Sequence, residues 1–234
     1  MVNFLTALCG APDADFYALA DQDDIWGEAK LSEAIGSLTK TEPGRPALYC
    51  GRSQTADIEG KPIGLSPGYM RPPSFGNALV QNIGAGNTMV MNREARDLVR
   101  DAGPHLDVVF HDWWIYQLVS GAGGTVIYDL RPFIRYRQHS GNLVGEGTSL
   151  KSRIGRLRQM MKGRLHAWMD RNLGALQQVK HLLTAENERL LEDFIDLRQQ
   201  WWLGRVSRIH RLGVSRQTWV GNVSLALATA LGKL

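Results

Sequence analysis

The run Phe16-Tyr17-Ala18-Leu19-Ala20, passing at once into Asp21-Gln22-Asp23-Asp24, constrains the fold more than any other stretch of the chain. Five apolar residues read as a strand, and the acids that follow place carboxylates at its carboxyl end, where α/β sheets bind ligands. Three acids within four residues repel one another and call for a cation or a set of backbone N–H groups. Mg2+ and Mn2+ are hard cations that take one or two protein carboxylates, with waters and substrate phosphates completing the shell. The cluster is therefore a candidate divalent-metal site serving a phosphorylated substrate. A local alternative stands beside it: Asp23 or Asp24 caps a helix, since Ile25, Ala29, Ala34, Ile35 and Leu38 recur at helical spacing.

The order of elements extends this reading to an α/β class. Strands are expected over Asp15 to Ala20, Ala47 to Arg52, Thr88 to Asn92 and Thr125 to Tyr128. Helices are expected over Trp26 to Leu38, Arg93 to Asp101 and Trp113 to Ser120, an alternation typical of a sheet with flanking helices. Gly64 to Ser74, with its three prolines, reads as a long loop.

Charge divides the chain. From Lys151 onward 15 Lys and Arg face 6 Asp and Glu, a balance of +9; subtraction from the totals of 27 and 23 leaves 12 against 17, or −5, in residues 1–150. A boundary at 150 is expected, with residues 151–234 a basic helical appendage built from Arg153 to Asp170 and Leu173 to Trp202. Trp168, Trp201, Trp202 and Trp219 among those cations suit a peripheral contact with anionic lipid. The rival expectation is that these helices pack on the first region. The apolar stretch Val220 to Leu231 is too short to span a bilayer. Cys9 and Cys50 form neither a metal spacing nor a disulfide framework, and no signal peptide is recognisable at Met1 to Leu8. A cytoplasmic protein, possible membrane-peripheral contact included, is the expectation; no nucleic-acid partner is expected.

Three further constellations carry chemistry. Phe110-His111-Asp112-Trp113-Trp114 places an acid at the start of a helix beside aromatic walls, positioned to take a proton from a hydroxyl. The helix N-terminus is expected to keep Asp112 ionised. The alternative is a helix cap with Trp113 and Trp114 in the core. Arg135-Tyr136-Arg137-Gln138-His139, followed by Ser140-Gly141-Asn142, ends a strand in groups suited to a metal or a phosphate oxygen. Gln81-Asn82-Ile83-Gly84-Ala85-Gly86-Asn87 supplies small residues where a backbone can approach a sugar, or forms an ordinary turn before a strand.

In this order, FYALADQDDIW, QNIGAGNTMVMNR, FHDWW and RYRQHSGNLVG resemble the family 2 glycosyltransferases of the GT-A fold, especially rhamnosyltransferase-like members of surface polysaccharide synthesis. The resemblance covers roughly residues 3 to 147. It implies a Rossmann-like mixed sheet and an inverting transfer from a nucleotide-diphosphate sugar, dTDP-rhamnose or a UDP-sugar, to a glycan or lipid-linked acceptor. Asp21, Asp23 and Asp24 correspond to the DxD-type motif, with Mg2+ or Mn2+ on Asp23, Asp24 and His139. Asp112 aligns with the presumed general base. Gly86, Asn87, Arg137 and His139 fall on the donor side, and His111, Trp113 and Trp114 on the acceptor side.

One departure from the family is expected to matter. The opening strand-helix-strand segment that binds the nucleotide base has no counterpart before the acids, so the sheet is expected to be an incomplete GT-A domain with an open edge. Two other functions fit the same residues: a non-catalytic remnant acting as a membrane-peripheral interaction module, and a metal-dependent phosphohydrolase. The second leaves HDWW and QHSGN without a role.

Overall fold

The computed structural model describes residues 2–137, 164–200 and 202–234. The chain opens with helix α1 (Val2–Cys9), strands β1 (Phe16–Ala18) and β2 (Ile25–Trp26), helix α2 (Lys30–Leu38), and strands β3 (Ala47–Gly51), β4 (Gln54–Ala56) and β5 (Pro62–Leu65). Helix α3 (Phe75–Ala78), a 3-10 turn (Gly86–Thr88), β6 (Val90–Asn92), α4 (Arg93–Ala102), α5 (His111–Gly121), β7 (Thr125–Asp129) and β8 (Ile134–Arg137) follow. Beyond lie α6 (Arg164–Gln178), α7 (Ala185–Gln199), α8 (Trp202–Arg211) and α9 (Trp219–Ala230).

The result is a mixed α/β, Rossmann-like fold with two mixed sheets. The first runs β1-β6-β3-β7, with β6 antiparallel to both neighbours and β3 parallel to β7. The second runs β2-β8-β4-β5. All five residues of β3 are buried, as a central strand covered on both faces requires. On one face α2 lays Ala34 and Leu38 against Ala47, Tyr49 and Val90. The opposite face belongs to a larger core drawing on α1, α4 and α5. Asn92 organises the centre: its side-chain oxygen caps α4 through Ala95 N–H at 3.0 Å and accepts Ala47 N–H at 2.8 Å. Among the described residues β1 is an edge strand, paired with β6 alone.

Three expected elements differ in detail. Residues 25 and 26 form a strand because they pair with β8, and Gly27 N–H continues the ladder to the Phe133 carbonyl at 2.8 Å, so α2 starts only at Lys30. Pro62–Leu65 is a strand against β4 that reaches into the expected loop. The helical run expected from Leu173 to Trp202 breaks after Gln178 into a 3-10 turn, and α7 restarts where the Thr184 side chain accepts Asn187 N–H at 3.2 Å. The expected boundary at 150 and His139 lie outside the described residues.

The basic helices share the sheet's core. Met169, Leu173, Leu176, Phe194, Leu197, Ile209 and Leu225 belong to the same buried cluster as Leu48, Met91 and Trp114. Polar contacts reinforce the junction: Asn187 Nδ2 donates to the Gly121 and Ser120 carbonyls at 2.9 and 3.2 Å, satisfying the end of α5. Phe194 is 0% exposed. Phe194→Ala is expected to cost about 3–5 kcal/mol, removing a fully packed ring and leaving a cavity. Urea unfolding followed by circular dichroism and by tryptophan fluorescence should show one shared, shifted transition; a fluorescence transition left in place would contradict the common core.

Candidate functional site

The site is built around the buried turn Gly86–Thr88, which touches both acidic motifs. Gly86 N–H donates to Asp112 Oδ2 at 3.2 Å, and one residue later Asn87 Nδ2 donates to Asp24 Oδ2. The turn is held in turn by Thr88, whose hydroxyl donates to the Ala85 carbonyl at 2.7 Å and accepts Gly51 N–H at 3.2 Å from the end of β3. Two acids 88 positions apart in sequence thus meet on consecutive residues of one rigid turn.

The acidic segment leaves β1 after Leu19 N–H bonds the Met89 carbonyl at 3.1 Å, and it folds so that Asp24 N–H reaches the Asp21 carbonyl at 3.4 Å. Burial pushes the Asp24 carboxyl up to about 6; the Asn87 hydrogen bond opposes that shift, and Asp21 and Asp23 add to it. Asp21 is also raised, by burial first and by Asp23, against the pull of His111 and Lys30. Asp24 Oδ1 and Asn87 Oδ1 are both buried with no hydrogen-bond partner. One is the second oxygen of the raised Asp24 carboxyl and the other an amide oxygen, and both are hard oxygen donors of the type a divalent cation takes.

Lys30 is the residue that sequence reasoning missed. It is buried, its Nζ donates to the Asn87 carbonyl at 2.8 Å and lies 3.5 Å from the Leu19 carbonyl, and it sits 3.3 Å from the Trp26 ring centroid. It therefore ties the end of β1 to the central turn and places a positive charge that acts on Asp21 and Asp24. Burial lowers its ammonium to about 8 despite the opposing charges of Asp24 and Asp21. A signal was present: Lys30, Ala34 and Leu38 recur every fourth residue, and a lysine inside that apolar stripe is costly without a partner.

Asp112 lies in the first turn of α5, where its Oδ1 accepts Trp113 N–H at 2.7 Å. It keeps part of its surface, yet enclosure dominates: its carboxyl is pushed up by burial, against His111, two backbone N–H groups and the Asn82 side chain. The helix N-terminus was expected to favour the ionised form, so the net direction is the reverse of that expectation. His111 stacks on Phe4 with ring centroids 4.3 Å apart and 14° between planes. Its pKa is lowered, burial outweighing Asp112 and Asp21.

Several expected site residues have a different setting. Trp113 and Trp114 are core residues, 4% and 0% exposed, and Trp113 Nε1 donates to the Ala78 carbonyl at 2.7 Å. Their bulk anchors α5 in the apolar interior rather than lining an acceptor cleft. Gly86 passes close to His111: a Cβ there would stand 2.5 Å from His111 Nε2. Arg137 closes β8, and the antiparallel pairing Ile25 with Arg135 and Trp26 with Ile134 directs that end toward the acidic turn. Among the described residues no group of three or more His, Cys, Asp or Glu is placed to hold a metal by itself.

The C-terminal helices also reach this site. Asn172 Oδ1 of α6 accepts Val109 N–H at 3.0 Å, Arg171 pairs with Asp107 at 2.6 Å, and Trp168 packs edge-on against Phe110 at 5.1 Å. Together they fix the segment that delivers His111 and Asp112.

No family model matches the chain. Over 151 residues it is 27% identical to the dTDP-rhamnosyl transferase RfbG of Shigella flexneri, an alignment covering 61% of this chain and 50% of that protein. The chain spans about half the length of the curated relative it matches. This likeness is a distant relationship to a glycosyltransferase.

Proposed function

We propose that the chain carries the diphosphate-binding and base-bearing part of a metal-dependent, inverting glycosyltransferase of the GT-A, family 2 kind. The observation that carries this reading is the joining of Asp112 and Asp24 to adjacent residues of the Gly86–Thr88 turn, which holds two carboxyls raised by burial on one short segment. The likeness to a dTDP-rhamnosyl transferase supports a nucleotide-sugar donor, with dTDP-rhamnose or a UDP-sugar as candidates and a glycan or lipid-linked acceptor.

Asp24, with Asp21 and Asp23, would hold Mg2+ or Mn2+, and the orphaned oxygens of Asp24 and Asn87 fit that role. When bound, the ion supplies positive charge against the donor diphosphate. Lys30 holds the acids and the central turn in register. Arg137, with His139 beyond the described residues, adds cationic groups for the leaving diphosphate. Asp112 accepts the proton of the acceptor hydroxyl as that oxygen forms a bond to C1 of the sugar, and the bond from C1 to the diphosphate oxygen breaks with its electron pair leaving on the nucleoside diphosphate. A carboxylate raised by burial is a stronger base than one at the ordinary aspartate value. His111, stacked on Phe4 beside it, bounds the space for the acceptor.

Each role yields an expected outcome. Asp112→Asn should lower transfer by about a hundredfold to ten-thousandfold while leaving donor binding nearly unchanged, as measured by product formation and calorimetry. Transfer at the unmodified rate would remove Asp112 from the reaction.

Titration calorimetry with Mn2+ and dTDP or UDP tests the acids. Binding should be lost in Asp24→Ala, and in the unmodified protein metal affinity should fall about tenfold per pH unit below about pH 6, because the ion must displace the Asp24 proton. Absent binding, or binding unaltered in Asp24→Ala, would sink the metal-dependent reading.

Stability should move the other way. Asp24 has a folded value of about 6 against 3.8, so its contribution is full below the unfolded value and is lost as pH rises through about 6. Without metal at neutral pH, Asp24→Asn should therefore melt higher than the unmodified chain, and added Mn2+ should raise only the latter. A lower melting temperature for Asp24→Asn would show that the carboxylate is structurally required.

A further inference from the structure

Helix α9 has the reverse of a normal surface pattern. Its inner side is anchored by Leu225 and Thr229, both buried. On the opposite side Trp219, Val220, Val223, Leu227 and the following Leu231 are 42 to 77% exposed. At about 100° per residue these five positions fall within about 120° of the helix circumference, centred opposite Leu225 and Thr229. No Asp, Glu, Lys or Arg occurs from Gln217 to Gly232. A helix with solvent on its outer side ordinarily carries charge there. A contiguous apolar stripe left in water marks a surface that something covers.

We infer that α9 is an interfacial helix that seats this protein on an anionic lipid bilayer. Charge selects that occupant. Over residues 164–234, ten Lys and Arg face six Asp and Glu, a balance of +4, so pressing two copies of this helical region together sets like charge against like. A bilayer surface rich in acidic headgroups complements it. Cations border the stripe without interrupting it: the Arg205 guanidinium lies against Gly232 at the end of α9, Lys233 follows, and Arg211 is exposed on α8, which packs alongside. Trp219, the most exposed of the five, stands at the other end, where an amphipathic ring suits the headgroup level. Twelve residues give a helix of about 18 Å, short of the roughly 30 Å hydrocarbon layer, so it lies in the interface. No described helix is long and apolar enough to cross a membrane. Of the tryptophans expected to serve such a surface, Trp168 is instead engaged with Phe110.

The test is co-sedimentation of the full chain with phosphatidylcholine vesicles, with and without phosphatidylglycerol. Binding should require phosphatidylglycerol and weaken with added salt. The double variant Val223→Glu/Leu227→Glu should lose about tenfold or more of its vesicle partitioning at an unchanged melting temperature, since both side chains are exposed. Val223→Gln/Leu227→Gln, which adds no charge, should lose it as well and serves where the first variant folds poorly. No vesicle binding by the unmodified chain, equal binding to both vesicle types, or full binding by the variants would overturn the inference. So would a concentration-dependent dimer in analytical ultracentrifugation that the same substitutions abolish, which would assign the stripe to self-association.

Discussion

Everything at the candidate site depends on one buried turn. Gly86 N–H and Asn87 Nδ2 are donors on consecutive residues, and each finds a carboxylate from a different part of the chain. Because the turn is locked to β3 through Thr88 and to α2 through Lys30, neither acid can shift without disturbing the central sheet. Glycine at 86 lets the turn lie close to His111, since a Cβ there would stand 2.5 Å from Nε2 unless the ring shifted. In the proposed transfer the donor diphosphate and the acceptor hydroxyl occupy neighbouring positions, and a shared rigid turn is one way to fix that spacing before either binds.

This arrangement stores electrostatic cost where it is useful. Burial and two neighbouring carboxylates raise Asp24, burial raises Asp112, and Lys30 is pulled in the opposite direction by the same enclosure. The single ammonium reaches backbone carbonyls rather than either carboxylate by hydrogen bond, so it moderates the acids without neutralising them. A site with its own charge fully compensated would have little to gain from a cation. Unpartnered oxygens on Asp24 and Asn87 leave the opposite balance here, a cost to stability that the proposed cation would offset.

What the sequence made legible follows range. The strands at Phe16, Ala47, Val90 and Thr125 and the helix starting at Arg93 are specified by local apolar runs and by Asn92 as a cap, and the structure has them close to the expected bounds. The early start expected for α2 failed because residues 25 and 26 are claimed by β8, more than a hundred positions away, and no local pattern encodes that pairing. The acids stood out as a cluster and Gly86 and Asn87 as a separate motif, but that the one turn joins both acids depends on contacts between segments far apart in sequence. For Trp113 and Trp114 the core reading was the right one: aromatic residues beside an acid are as suited to anchoring a helix as to lining a cleft, and burial decides between them.

The basic helices bear on the site through packing rather than charge. Their excess of cations suggested an appendage, yet the apolar residues between those cations complete the core beneath β3 and α5. Three side chains of α6 hold Asp107, Val109 and Phe110, the residues immediately before His111 and Asp112. The orientation of the proposed base is therefore set from two directions, by the central turn through Gly86 and by α6 through the preceding segment. A substitution in α6 that leaves the acids untouched would still tilt the start of α5, and with it the carboxylate whose aim the proposed reaction requires. The same group of helices carries the exposed stripe of α9, so the surface inferred to meet lipid and the segment aiming Asp112 are parts of one packed body.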